Sequence, residues 1–390
     1  MSDPRGYLIR GGDVYDGTGA PPRCADVRIA GDRIMEIAAD LAAREGEEIV
    51  DARGLIVAPG LIDLHVHVFS GVGQFSVAPA DAGLKHGVTT LLDTGTAGAL
   101  TFPAFERFVI SQSPEDIYAL LNISLIGAIH RHDRAPHLSD LTDARACHVP
   151  SAVECIRRFR GPIVGVKARL TVGIAAGSEL NERAAFHGVL EAAAQTGVPC
   201  MFHHAASSIP LEEVLGAMRP GDVYTHAYHP LSNGPFTDGT RAPRDATRAA
   251  RDRGVIFDVG HGVSAFAWDV AEPACQQYGF WPDTISTDVH RFNLNGPVFD
   301  LPTTMTKFLY LGMPLTRVIR ATTSAPAAAM GLSDRLGTLT AGRSADVTLL
   351  RSEVGSWELI DVAGQVRIGR QRLVSVGVFK AGRRFACRGC

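Results

Sequence analysis

Six residues of metal-binding type close short hydrophobic segments along this chain. The first two, His65 and His67, end the run Gly60-Leu-Ile-Asp-Leu-His-Val-His. Side chains two positions apart on a strand point to the same face, so these histidines can bind one ion together. The remaining four close later hydrophobic segments: Lys167, His203, His226 and Asp288. This pattern predicts a metal site that the whole domain assembles, and it favours hydrolytic chemistry.

The charges of these residues point to a modified lysine. Two divalent cations held close together need anionic ligands, because their mutual repulsion is otherwise prohibitive. The histidines are neutral, Asp288 supplies one negative charge, and an ammonium at Lys167 would add to the repulsion. A lysine buried in a protein has a lowered pKa, and its free amine can react with CO2 to form a carbamate. We therefore expect a carbamate on Lys167, which would bridge two ions.

The segments that carry these residues alternate with helical patterns between about residue 59 and residue 335. Helices are expected over 182–196, 209–218, 242–253 and 305–311. Strands are expected over 61–68, 88–93, 118–126, 163–170, 198–203, 222–226, 254–259 and 284–289. Eight strands alternating with helices predict a (β/α)8 barrel of the TIM type, an α/β fold whose chemistry lies at the carboxyl ends of the strands. All six candidate ligands lie at such ends.

The two ends of the chain have a different sequence pattern. Residues 1–58 and 336–390 contain short alternating strands bounded by glycine turns. We predict that both termini together form one small β-sandwich domain, beside a hydrolase barrel formed by residues 59–335.

Composition limits the classes of partner. The chain has 46% hydrophobic and 20% charged residues and a formal net charge of −3, which gives no reason to expect nucleic acid or an anionic membrane. No segment approaches the ~20 apolar residues that span a bilayer, and the N-terminus has no apolar signal region. Seven widely spread cysteines do not predict a disulfide framework. We expect a cytoplasmic homo-oligomer that acts on a small molecule.

Two longer motifs carry a resemblance to a known family. The segments Ala58-Pro-Gly-Leu-Ile-Asp-Leu-His-Val-His and Leu336-Gly-Thr-Leu-Thr-Ala-Gly-Arg-Ser-Ala-Asp-Val resemble the amidohydrolase superfamily, specifically its binuclear members with a carboxylated lysine. The resemblance implies one metal ion on His65, His67 and Asp288. It implies a second ion on His203 and His226, with Lys167 bridging the two.

Further segments are similar to dihydroorotase-like bacterial deacetylases: Asp63-Leu-His-Val-His-Val-Phe-Ser-Gly-Val, Ile163-Val-Gly-Val-Lys-Ala-Arg-Leu, Phe257-Asp-Val-Gly-His-Gly and Asn295-Gly-Pro-Val-Phe-Asp-Leu-Pro-Thr-Thr-Met. This similarity implies cleavage of an acyl amide or acyl ester, in an N-acyl amino acid or an O-acyl hydroxy acid. True dihydroorotases usually carry arginine two residues beyond the second histidine, where this chain has Phe69. Mononuclear deaminases of the superfamily use a glutamate after the fifth strand, where this chain has His204-Ala-Ala.

The hypothesis that follows is hydrolysis by a metal-bridged hydroxide, with Asp288 accepting the proton and returning it to the leaving group. Zinc is the expected metal, although manganese, iron or cobalt suit the same ligands. Two alternatives stay open: a hydrolase of cyclic amides, imides or lactones, and a non-catalytic scaffold homologue. The candidate substrate-binding residues are Arg169, His229, His261 and His290. Strand alternation favours His203 over His204 as the ligand, and no role follows from the sequence for His130, His132 and His137.

Overall fold

The computed structural model describes residues 6–130 and 139–388. Fifteen strands lie in these two ranges. They are β1 (Gly6–Val14), β2 (Arg23–Ala30), β3 (Arg33–Ala38), β4 (Glu47–Asp51), β5 (Ile56–Pro59), β6 (Leu61–Val66), β7 (Val88–Gly98), β8 (Asp116–Asn122), β9 (Ile163–Leu170), β10 (Cys200–His204), β11 (Val223–Thr225), β12 (Ile256–Phe257), β13 (Val347–Ile360), β14 (Val366–Lys380) and β15 (Arg383–Phe385).

Ten α-helices accompany the strands in the same ranges. They are α1 (Pro79–Ala82), α2 (Phe102–Phe108), α3 (Val149–Arg158), α4 (Glu179–Thr196), α5 (Leu211–Ala217), α6 (Asp245–Asp252), α7 (Trp268–Glu272), α8 (Leu301–Leu311), α9 (Leu315–Ala321) and α10 (Ser324–Ala329). The four helices expected from the sequence correspond to α4, α5, α6 and α8, with ends displaced by a few residues. Helix α8 begins earlier than expected because the Asp300 carboxylate accepts a hydrogen bond from the Thr303 amide and caps it.

Seven strands form a parallel sheet in the order β12-β11-β10-β9-β8-β7-β6. Every residue of β6 and of β7 is buried, because helices cover one face of such a sheet and side chains fill the other. The largest hydrophobic cluster surrounds this sheet and includes Phe105, Phe186 and Phe257. The sequence of strands and helices is the α/β alternation that the hydrophobic pattern predicts.

The expected eighth strand, 284–289, is present only as single bridges. Thr284 bridges Asp258 in parallel, and Val289 bridges Val66. The segment thus meets both edges of the seven-stranded sheet. It does not continue as a regular strand, because Asp288 has φ of 49°, the left-handed conformation, which interrupts an extended backbone.

Strands from both termini lie in one mixed sheet of eight strands, with the order β15-β14-β13-β5-β1-β2-β3 and β4 beside β1. The predicted sandwich of two sheets is therefore not confirmed. The long hairpin β13–β14 also packs on α8 and contributes Leu359 and Leu373 to the core around the parallel sheet. The domain boundaries at residues 58 and 336 stay a prediction.

An ion-pair cluster around the buried Lys380 joins the terminal sheet to the parallel sheet. The Lys380 ammonium lies 2.8 Å from both the Asp346 and the Asp116 carboxylates. In the ranges described, no helix has the length and apolar character needed to cross a lipid bilayer.

Candidate metal centre and active site

A cavity of about 280 Å³ opens at the carboxyl ends of the parallel strands. Each parallel strand delivers its last residues to this edge, so residues far apart in sequence meet there. The lining contains all six predicted metal ligands. Its residues are His65, His67, Phe75, His130, Lys167, Arg169, Ile174, His203, His226, Val263, Ser264, Asp288, His290 and Phe292.

The predicted ligands converge on the Asp288 carboxylate. Its Oδ1 atom lies 3.1 Å from Nε2 of His67 and 3.4 Å from Nε2 of His65. The Lys167 amine lies 2.9 Å from the same His65 nitrogen. Ligand atoms of His65, His226 and Asp288 all lie within 4.8 Å of one another, a spacing compatible with one shared ion.

The His203 ring completes the cluster from β10. Its centroid lies 4.3 Å from that of His226, and its Nε2 atom is 3.4 Å from the Thr171 hydroxyl. The neighbouring His204 points away, as strand alternation predicts. Its Nε2 atom contacts the Ile209 carbonyl at 2.9 Å in the packing behind the strand.

Threonine hydroxyls orient the two histidines of the first strand. The Thr225 hydroxyl donates to Asp258 at 2.8 Å and lies 2.9 Å from Nδ1 of His65. A hydroxyl has one proton, so the Nδ1–H group of His65 must be the donor in the second contact. This leaves the Nε2 lone pair of His65 directed into the cavity.

The same arrangement recurs at His67. Its Nδ1 atom lies 2.7 Å from the Thr96 hydroxyl, which donates to Asp93 at 2.9 Å. Both aspartates are fully buried. Each imidazole is therefore fixed in one tautomer by a threonine and a carboxylate behind it.

Backbone geometry positions two further candidate ligands, His226 and Asp288. The Nδ1–H of His226 donates to the Gly260 carbonyl at 2.5 Å, which again frees Nε2. His226 and Asp288 both have positive φ, at 65° and 49°, which turns their side chains out of the strand direction. The buried Asn293 amide donates to the Asp288 carbonyl at 2.8 Å and supports that turn.

Burial sets the protonation of the cluster. It lowers the pKa of His67 to about 3 and that of His226 to about 4. It also holds the pKa values of His65 and His203 well below their usual range. The imidazoles are thus neutral and able to bind a cation through their free nitrogen atoms.

Burial also lowers the pKa of the Lys167 amine, to about 7. The amine therefore gives up its proton far more readily than an exposed lysine does.

Two of the four candidate substrate contacts line the cavity: Arg169 and His290. The Nε atom of Arg169 donates to Asp140 at 3.1 Å, and its Nη2 atom also contacts this buried carboxylate. Nη1 has no hydrogen-bond partner among the described residues. The end of the guanidinium that carries Nη1 is therefore available to a ligand.

His229 and His261 are not among the described residues that line the cavity. Both are buried, with both ring nitrogens engaged elsewhere. His229 contacts the His204 carbonyl at 3.1 Å and the Leu231 amide at 3.2 Å, so it packs a loop. His261 contacts the Gly262 carbonyl and the Lys307 amine. The prediction that these two histidines face the substrate is at odds with these contacts, because each ring is turned into the protein.

Of the three histidines after the third strand, His130 lines the cavity. His132 and His137 lie outside the described residues.

The aspartates and threonines that orient the histidines were not predicted from the sequence. Asp93 and Asp258 stand out as single acids in the apolar segments Leu91-Leu-Asp-Thr and Val255-Ile-Phe-Asp. A single acidic residue within an apolar segment suggests that each aspartate is buried and has a specific role. It does not reveal the threonine partner, because Thr225 and His65 are 160 positions apart.

Comparison with known proteins agrees with this geometry. Residues 56–366 match the profile of the amidohydrolase family. The chain belongs to the amidohydrolase family. It is therefore a hydrolase acting on carbon–nitrogen bonds, and the resemblance to the amidohydrolase superfamily is confirmed.

Curated relatives of this amidohydrolase include bacterial deacetylases. The chain is 34% identical to a deacetylase of Agrobacterium fabrum over 357 residues, which cover 90% of the chain and 84% of the relative. It is 32% identical to a deacetylase of Enterococcus faecalis over 372 residues, which cover 94% and 95%.

Two solved structures share the fold at 29% identity and a TM-score of 0.86 each. One is described as an adenine deaminase, with 97% of this chain and 99% of that chain covered. The other is described as a dihydroorotase, with 98% and 99% covered.

Proposed function

We propose that this amidohydrolase is a metal-dependent deacylase of small carboxylic acids, either N-acyl amino acids or O-acyl hydroxy acids. The observation that carries the proposal is the position of Arg169, two residues beyond Lys167 on β9 and on the same cavity wall. A guanidinium there can bind a substrate carboxylate while the acyl group lies against the candidate metal ligands. The deacetylase relatives support the acyl-transfer chemistry.

The donor set suits divalent metal ions. Free imidazole nitrogens and one carboxylate are ligands that zinc prefers. His65, His67 and Asp288 would hold one ion, and His203 and His226 a second. The Lys167 amine, 2.9 Å from Nε2 of His65, would complete the donor set as a carbamate, which replaces a positive charge by a negative one. Bound ions would lower the pKa of a water molecule and polarise the carbonyl of the substrate.

The remaining steps belong to the side chains of this chain. Asp288 accepts a proton from the attacking water and returns it to the leaving nitrogen or oxygen. Arg169 holds the carboxylate through its Nη1 end, since Asp140 occupies the other side of the guanidinium. Phe75, Val263 and Phe292 give the cavity an apolar lining beside the candidate metal ligands.

A cyclic amide or lactone hydrolase is the second candidate, favoured by the fold match to the structure described as a dihydroorotase. One residue counts against dihydroorotate itself. Phe69, at the position where dihydroorotases usually carry the carboxylate-binding arginine, is buried with its ring 4.7 Å from that of Phe105. It therefore offers nothing to an anionic ring substrate.

Two substrate panels test the proposal. Protein produced with zinc and bicarbonate is assayed with acetylated amino acids and acetylated 2-hydroxy acids, and in parallel with hydantoins, dihydropyrimidines and lactones. Turnover of the acyl panel alone is expected, and turnover confined to the ring panel would reject the deacylase proposal in favour of the second candidate.

Metal analysis of the same protein tests the centre. We expect zinc to co-purify, a chelator to abolish turnover, and zinc with bicarbonate to restore it. Protein that binds no zinc and hydrolyses nothing would agree with the non-catalytic scaffold instead.

A further inference from the structure

A second buried lysine lies behind the site, on α8. Lys307 is inaccessible to solvent, and its amine contacts three atoms from three separate segments. These are Nε2 of His261 at 2.6 Å, the Pro297 carbonyl at 2.9 Å and the Ile360 carbonyl at 2.6 Å. The amine therefore ties the loop after β12 to the segment before α8 and to the end of β13.

Hydrogen-bond directions assign the protons of this contact. Nδ1 of His261 lies 3.0 Å from the Gly262 carbonyl, which can only accept, so Nδ1 carries the hydrogen. In a neutral imidazole, Nε2 is then an acceptor. The Lys307 amine thus faces three acceptors, and an ammonium has three hydrogens to donate to them. Burial lowers the pKa of Lys307 to about 7, and the charges of Asp361 and Asp300 oppose that shift.

His261 occupies the centre of a turn that touches two candidate metal ligands. The carbonyl of Gly260 receives the Nδ1–H of His226 at 2.5 Å. On the other side, a Cβ atom added to Gly262 would lie 2.6 Å from Oδ2 of Asp288. A shift of the His261 ring would therefore move both the acceptor that orients His226 and the backbone against which Asp288 rests.

We propose that Lys307 is a positioning residue for the metal centre, acting through His261 on the turn 260–262. This inference rests on the proposed function, because it assigns Lys307 to the centre that His226 and Asp288 would form. It also makes the end of β13, in the terminal sheet, part of the support of the active site through Ile360.

The test compares two buried lysines. Lys307→Met removes the ammonium and keeps an unbranched apolar side chain. Lys380→Met is the matched control, since Lys380 is also buried and also makes its contacts through the amine, but to carboxylates of the sheet junction. His261→Phe is a second variant that tests the same turn. Phenylalanine keeps a ring stacked on Phe266 but lacks the imidazole nitrogens.

Three readouts are taken on the full-length protein: amide hydrogen exchange of residues 257–266, zinc affinity by competition with a chromophoric chelator, and kcat with KM. We expect Lys307→Met and His261→Phe to speed exchange of the turn, to weaken zinc binding ~10-fold and to lower kcat with little change in KM. Lys380→Met is expected to lower thermal stability without these effects.

The double variant of Lys307→Met with His261→Phe separates positioning from general destabilisation. If Lys307 acts through His261, the double variant binds zinc no more weakly than His261→Phe alone. Additive losses in the double variant, or unchanged exchange of the turn in Lys307→Met, would overturn the proposal. Hydrogen exchange needs neither metal nor substrate, so it decides the role of Lys307 even if the wild type proves inactive on every substrate and the proposed function fails.

Discussion

The Thr225 hydroxyl holds the His65 ring in its orientation, and a variant at this position can test that role. Thr225 donates to the Asp258 carboxylate at 2.8 Å and accepts from Nδ1–H of His65. Thr284 donates to the same carboxylate at 2.7 Å and makes no hydrogen bond to His65. Both threonines are buried, so Thr225→Val and Thr284→Val make the same change of side chain beside the same acceptor.

The contacts give the size of each effect. Loss of a hydrogen bond to a charged group costs about 1.5–3 kcal/mol, and both variants lose one such bond to Asp258. Thr225→Val also leaves the Nδ1–H of His65 buried without an acceptor, which costs about 1–3 kcal/mol more. That additional loss falls on the ring that would bind metal. A difference of about 1.4 kcal/mol corresponds to a tenfold change in an equilibrium constant, within the 10–100-fold range known for such supporting residues.

The assay is zinc affinity by chelator competition, with denaturant unfolding of the metal-free proteins alongside. Both variants are expected to unfold more easily than the wild type. Only Thr225→Val is expected to bind zinc about tenfold more weakly. If Thr284→Val weakened zinc binding as much, the effect would arise from Asp258 rather than from the orientation of His65, and the reasoning would be refuted.

Three further outcomes are expected. Asp288→Asn should lower kcat by about 10²–10⁴-fold with an unchanged circular dichroism spectrum, because the amide cannot accept the proton; retained turnover would remove Asp288 from that role. Gly262→Ala and Gly177→Ala place a methyl group at φ of 54° and 79°, so thermal melts should show a similar loss of about 1–2 kcal/mol. Only the first should lose activity, since its methyl group meets Asp288 and the second meets nothing within 4 Å. Arg169→Lys keeps the charge beside Asp140 but loses the planar fork of the guanidinium. KM should therefore rise for acyl acids and stay the same for their methyl esters. Equal changes in KM for both kinds of substrate would exclude carboxylate binding by Arg169.

Much of the fold could be predicted from local pattern. Strands β6 to β11 and the four helices α4, α5, α6 and α8 follow from hydrophobic periodicity, which contiguous residues carry. The positions of His65 and His67 follow from the two-residue repeat of a strand, and that of Lys167 from the end of another. Convergence of the six candidate ligands on one cavity follows from the alternation of parallel strands and helices, since such folds gather strand ends on one face.

Other features depend on contacts that no local pattern contains. The left-handed backbone of Asp288 interrupts the expected eighth strand, although the sequence pattern of residues 284–289 is typical of a strand. The terminal strands joined one sheet because β13 pairs with β5, about 290 positions earlier in the chain, rather than forming a second layer.

The contacts that hold the site residues in place also depend on tertiary packing. Thr225 reaches His65, and Lys307 reaches His261, only because separate strands and helices pack side by side. By itself the sequence determined which residues are candidates for the chemistry, because residue type and strand period are local properties. Tertiary structure decided which of them face the cavity and which hold the others in place, because a side chain finds its partner across the packed core.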